Sequence, residues 1–66
     1  MPSAVIAGYE YDAEKEILTI RYQSGKIYNY LEVPEKVYRE MRATMRKGIF
    51  LNRNIKGKFL FEEVIP

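Results

Sequence analysis

Neither cysteine nor histidine occurs anywhere in this chain. The first absence excludes disulfides and thiolate metal sites. The second removes the commonest metal ligand and the commonest general base at neutral pH. Metal binding is thereby restricted to carboxylate-only sites for hard cations, and the sequence has no spaced acidic loop of the kind such ions use. No metal and no cofactor is expected. Long apolar runs are absent too: nothing approaches the roughly 18 residues of a membrane span. The opening Met1-Pro2-Ser3 lacks the basic and apolar regions of a signal peptide, so the expectation is a cytoplasmic protein without membrane contact.

What is present is the composition of an ordinary globule, 47% hydrophobic and 30% charged. At 66 residues it should form one domain over residues 1–66. A chain this short buries only about 60% of its unfolded surface, so the core itself, or self-association, must hold it together. Net charge is +2, unevenly spread. Residues 1–33 carry three bases and five acids, and residues 34–66 carry eight bases and four acids. All eight of those bases fall in 36–58, with Glu40 the sole acid there. Charge separated in this way can steer anions; a solvated helix end would also gather bases.

The first half reads as strands. In "SAVIAGYEYD", Val5, Ala7, Tyr9 and Tyr11 alternate with Ala4, Ile6, Gly8 and Glu10, and "AEKE" breaks the pattern as a charged turn. "ILTIRYQ" alternates cleanly, and after Gly25 "KIYNYLEV" alternates again. A two-residue loop between these strands would pair Tyr22 with Ile27 and throw Tyr28 and Tyr30 onto the face of Thr19 and Arg21. A three-residue loop, Gln23-Ser24-Gly25, pairs Ile20 with Tyr28 and Leu18 with Tyr30. One face then gathers Leu18, Ile20, Tyr22, Tyr28 and Tyr30. Such a loop wants a left-handed residue at its third position, where glycine is least strained. A one-residue slip flips a whole strand, so the apolar gain selects the three-residue loop.

A helix over 34–47 is expected next. Pro34 suits the first helical position, Glu35 complements the positive end of the helix dipole, and Arg46 and Lys47 the negative end. Gly48 is the expected stop. Val37, Tyr38, Met41, Thr44 and Met45 share one face, while Arg39, Arg42 and Arg46 line the opposite one. A loop or short turn should follow through 49–57, then a short strand near 58–64. The expected fold is α+β: a three-stranded antiparallel meander with one helix packed on it and a C-terminal loop and short-strand extension.

The pattern of Leu18, Ile20, Tyr22, Ser24-Gly25, Tyr28, Tyr30, Val33-Pro34 and Val37, followed by Gly48, Phe50, Asn52 and Ile55, resembles the KTSC domain family over roughly residues 3 to 62. That small domain is named for the C-terminus of some lysyl-tRNA synthetases and also stands alone. The resemblance implies an RNA-binding role, by association with tRNA synthetases, and no established activity.

Candidate functional residues cluster in two places. Arg39, Arg42 and Arg46 form a stripe suited to tracking a phosphate backbone without reading sequence, or else a solvated helix face. In "FLNRNIKGKF", Phe50, Ile55 and Phe59 should seal the end of the core. Asn52, Arg53, Asn54, Lys56 and Lys58 then project beside Lys47 with donors suited to phosphates or base edges. Asn52 and Asn54 are equally able to satisfy their own backbone. Tyr28 and Tyr30 are either core residues or stacking platforms for bases. Ser3 and Ser24 have no apparent partner, and no spacing supplies nucleophile, base and oxyanion donor together, so an enzyme is not expected. The leading reading is a binding module for RNA or a small nucleotide, in the second case with a pocket shared between subunits. The rival is a protein-interaction or self-assembly module, a homo-oligomer, because Ile6, Ile27, Leu31, Leu51 and Phe61 lack an obvious burial site.

Overall fold

A computed structural model describes residues 6–65. Four strands form one antiparallel sheet in the order of the chain: β1 (Ile6–Asp12), β2 (Ile17–Tyr22), β3 (Ile27–Tyr30) and β4 (Phe61–Val64). Between β3 and β4 lie α1 (Glu35–Ala43) and α2 (Lys47–Phe50), the latter running directly into a π-helical segment, Leu51–Ile55. The helices cover one face of the sheet, and the fold is α+β as the strand and helix patterns indicate.

The β2–β3 hairpin has the three-residue loop that the apolar argument selects. Leu18 pairs with Tyr30 and Ile20 with Tyr28. The Tyr22 amide donates to the Lys26 carbonyl at 2.8 Å, and Gly25 closes the loop at φ 96°. The β1–β2 turn is held by Asp12, whose Oδ1 accepts the amides of Glu14 and Lys15 at 3.0 and 3.2 Å. Glu16 then takes a left-handed φ of 56° to re-enter the sheet.

β1 departs from simple alternation. Tyr9 opposes Ile20 and Tyr11 opposes Leu18, but the register shifts between Ile6 and Gly8. This bulge takes up Ala7 and lets Ile6 pack against the core, on the side of Tyr9 rather than opposite it. Ala4 and Val5, the start of the expected strand, lie outside the described residues.

The helical layer is where the structure corrects the reading of the sequence. Pro34 caps α1 instead of opening it, and α1 ends at Ala43, four residues short of the expected 47. Thr44 breaks it: its backbone is extended at ψ 144°, and its hydroxyl accepts the amide of Arg46 at 3.2 Å. A threonine that bonds its neighbouring backbone offers the chain an alternative to the helix. Met45 is consequently not core but 97% exposed. Gly48 is not a stop; it lies inside α2. Residues 49–55, read as loop, are helical, because Leu51 and Ile55 are spaced to bury together and both reach 0% exposure.

The buried core is Leu18, Ile20, Tyr30, Val33, Met41, Leu51 and Ile55. Phe50 and Phe59 pack against it, as expected of residues sealing its end. Tyr11 ties the layers together: its ring stacks on Tyr38 at 4.4 Å, and its hydroxyl donates to the Val33 carbonyl at 2.6 Å. β4 adds to β3, with Phe61 opposite Tyr30 and Val64 opposite Ile27. Phe61 therefore stands on the helix side of the sheet. It does not cover the far face, where Ile17, Ile27 and Leu31 stay half-buried and Thr19 donates to Asn29 Oδ1 at 2.7 Å.

Candidate functional site

Every basic residue from 36 to 58 belongs to the helical layer or to the turn that follows it. The far face of the sheet instead carries Glu10, Asp12 and Glu62 against one base, Arg21, following the strand alternation. Charge is thus sorted by layer. Among the described residues there is one ion pair, Arg39 Nη2 to Glu35 Oε2 at 3.1 Å, between exposed side chains one helical turn apart. Pairs of that kind contribute little and leave the charge in water.

The break at Thr44 divides the expected arginine stripe. Arg39 and Arg42 border a shallow hollow on α1 with Ala43, and the Arg42 guanidinium lies 5.7 Å from the centre of the Tyr38 ring. Arg46 and Lys47 fall beyond the break. They line a cleft of about 220 Å³ against the bulged start of β1, with Ile6, Gly8 and Tyr9 opposite and Met45 at the rim. Lys47 has structural contacts as well: Nζ donates to the Thr44 carbonyl at 2.9 Å and sits 5.8 Å from the Tyr9 ring centre. Asn52 and Arg53 are exposed on the π-helical segment. Asn54 uses its amide on the Phe50 carbonyl at 3.4 Å, the backbone role open to it from sequence. Lys56 lies 5.5 Å over the Tyr22 ring, and Lys58 stands beside Leu31, Glu32, Phe59 and Leu60. The structure therefore joins Arg39 with Arg42 and Arg46 with Lys47. It does not gather all eight candidates at one point.

An aromatic cluster at the β3–β4 edge escaped the sequence reading. Tyr30 is core, at 3% exposure, but Tyr28 is only half-buried. Tyr28 meets Tyr22 edge-on at 5.4 Å and Phe61 edge-on at 5.3 Å. Phe61 itself is 57% exposed. The sequence signal was weak: "FEEV" places one apolar residue on each face of its strand, and becomes informative only once β4 is known to pair with β3.

The hydroxyls of Tyr22 and Tyr30 are 2.9 Å apart and satisfy one another. Burial pushes the Tyr22 pKa strongly upward, and the hydrogen bond and charge of Tyr30 add to the shift. Tyr11 is raised as well, first by burial and then by Glu16, Glu35 and Asp12. Both phenols stay protonated at neutral pH and serve as hydrogen-bonding groups, not bases. Among the described residues no three acidic side chains converge to hold a metal ion, and no helix is long and apolar enough to cross a membrane.

Sheet, helical layer and charge define a small α+β domain with eight of its eleven bases on one side. The chain belongs to the KTSC domain family, whose model matches residues 2–59. It is 38% identical over 61 residues to a lysine–tRNA ligase of Nostoc punctiforme, a match covering 92% of this chain and 11% of the ligase. A lysine–tRNA ligase of Trichormus variabilis is 36% identical over 59 residues, 89% of this chain and 10% of that one. The chain thus spans about a tenth of these ligases. A protein of Tsukamurella paurometabola is 35% identical over 57 residues, covering 86% of this chain and 85% of its own length. Among solved structures, a KTSC domain protein from Yersinia pestis superposes with a TM-score of 0.91 at 32% identity, over 98% of this chain and 92% of that one.

Proposed function

We propose that this KTSC domain is a non-catalytic module that binds RNA through phosphate contacts on its helical side. The observation that carries the reading is the charge sorting: eight bases lie in or just after the helices, and one of them has a carboxylate partner among the described residues. Exposed guanidinium and ammonium groups of this kind bind a phosphate backbone by releasing its counterions. The likeness to a tenth of lysine–tRNA ligases supports an accessory role beside a tRNA-handling enzyme rather than a reaction of its own. Such a role fits a cytoplasmic setting.

The test is affinity for single-stranded RNA across a salt series. Each phosphate neutralised contributes about 0.7 to the slope of log affinity against log salt. Reversing Arg42, Arg46 and Arg53 to glutamate should lower that slope by about 2. Undetectable binding at low salt, or an unchanged slope in the triple variant, refutes the reading.

The rival reading is self-association through the far face, favoured by the half-buried Ile17, Ile27 and Leu31, over which no helix or strand packs among the described residues. Sedimentation across a concentration series, with Leu31→Lys as control, separates it: a monomer at high concentration removes it.

A further inference from the structure

The aromatic corner between β3 and β4 is built unlike the rest of the surface. A hollow of about 290 Å³ is lined by Tyr28, Tyr30, Lys56, Gly57 and Phe61. That is near the lower end of ligand pockets, which run from about 300 to 1,000 Å³, so it suits one small ring system. Tyr30 forms its floor and is committed to the core. The Tyr28 and Phe61 rings stand at 89° to one another, so they present two walls meeting at a right angle. A flat ring laid on either wall meets the other edge-on, the two arrangements aromatic pairs prefer. Leaving Phe61 more than half exposed on an edge strand forgoes burial that a partner ring would supply.

Two charged groups lie near the walls. Lys56 borders the hollow on the side of Tyr22 and has no carboxylate partner among the described residues. Glu63 pairs with Tyr28 in the ladder, so its side chain leaves the sheet on the same face. An aromatic corner with a cation in its lining and a carboxylate beside Tyr28 on the same sheet face matches a nucleotide. The base stacks, its amino group donates to the carboxylate, and the phosphate meets the ammonium.

We propose that this corner binds a single unstacked nucleobase carrying an exocyclic amine, with Tyr28 and Phe61 as stacking walls, Glu63 as acceptor and Lys56 as phosphate contact. The base comes either from single-stranded RNA or from a free nucleotide. The first source rests on the RNA reading above, and the second does not.

The experiment titrates the protein with CMP, UMP, ribose 5-phosphate and a short single-stranded cytidine oligomer, following the ring resonances of Tyr28 and Phe61 by NMR. CMP should shift both rings and bind more tightly than UMP, which lacks the amine, while ribose 5-phosphate should leave the rings unmoved. Phe61→Ala should weaken CMP roughly 5- to 160-fold, the loss expected on removing one base-stacking partner. Phe61→Tyr should retain binding, and it keeps the test valid if the alanine variant frays β4. Glu63→Thr should abolish the preference for CMP over UMP. Equal shifts from CMP and ribose 5-phosphate, or wild-type CMP affinity in Phe61→Ala, overturn the proposal. If the oligomer then still binds with a salt-dependent slope, the RNA reading survives alone. If CMP binds at Phe61 while the oligomer does not bind at all, the corner is a free-nucleotide site and the RNA reading falls.

Discussion

Leu51 offers the sharpest test of the helical layer. In the described fold it is 0% exposed, placed there with Ile55 by the continuous turn of α2 and the π-helical segment. Were residues 49–57 a surface loop, Leu51 would be solvated and its truncation nearly neutral. Leu51→Ala removes a fully buried side chain and leaves a cavity, which costs about 2–5 kcal/mol. A 66-residue domain has roughly 3–10 kcal/mol of stability in total. The loss is therefore about a fifth of the total at the least, and the variant reads as a fall in melting temperature of at least about 8 °C, given about 4–8 °C per kcal/mol at this size. Urea unfolding followed by circular dichroism measures it directly, with the midpoint dropping and the slope unchanged if both states keep their compactness. Leu60→Ala is the internal control: Leu60 is 78% exposed and should change stability by less than about 0.5 kcal/mol. If the two variants are equally mild, Leu51 is not in the core and the account of the helical layer fails.

Three further predictions concern tyrosines and turns. Tyr22→Phe should cost about 1–3 kcal/mol by leaving the buried Tyr30 hydroxyl without its partner, and the Tyr22→Phe/Tyr30→Phe double variant should cost less than the single; a double variant worse than the sum would refute the pairing. Because burial raises the Tyr22 pKa above its unfolded value of about 10, folding stability should be complete below pH ~10 and be lost as pH rises through the folded pKa. Urea midpoints measured upward from pH 9 should fall more steeply in wild type than in the double variant; parallel curves would count against the shift. Glu16 and Glu32 hold φ of 56° and 57°, where a side chain costs about 1–2 kcal/mol, so Glu16→Gly and Glu32→Gly should each raise stability by about 0.5–1 kcal/mol; a fall in melting temperature would show that their side chains matter more than their backbone.

The sequence by itself determined the β2–β3 hairpin. Strict alternation in "ILTIRYQ" and "KIYNYLEV", with Gly25 between them, admits one register that puts the apolar set on one face, and that register forms. The recurring Tyr, Val-Pro and Gly-x-Phe-x-Asn elements were enough to indicate the family. The helical layer was only half legible. Met41 falls in the core on periodicity alone, but a periodic wheel does not register that the Thr44 hydroxyl competes for its neighbours' backbone, and so it carried the helix on through Met45. Ile55 was expected at the end of the core, but Leu51 looks like an isolated apolar residue among polar ones until the π-helical turn brings both into the core. The bulge that turns Ile6 inward is likewise a property of pairing with Tyr22 and Arg21, not of β1 alone. The eight bases of residues 36–58 were legible as a cluster in sequence, but the division of the candidates among separate surfaces follows from the break at Thr44. The aromatic corner was least visible of all. Tyr28 and Phe61 are 33 positions apart, and only the antiparallel addition of β4 to β3 puts their rings 5.3 Å from one another. Local periodicity reports which face a residue takes within its own element; which elements share that face is decided by packing between distant segments.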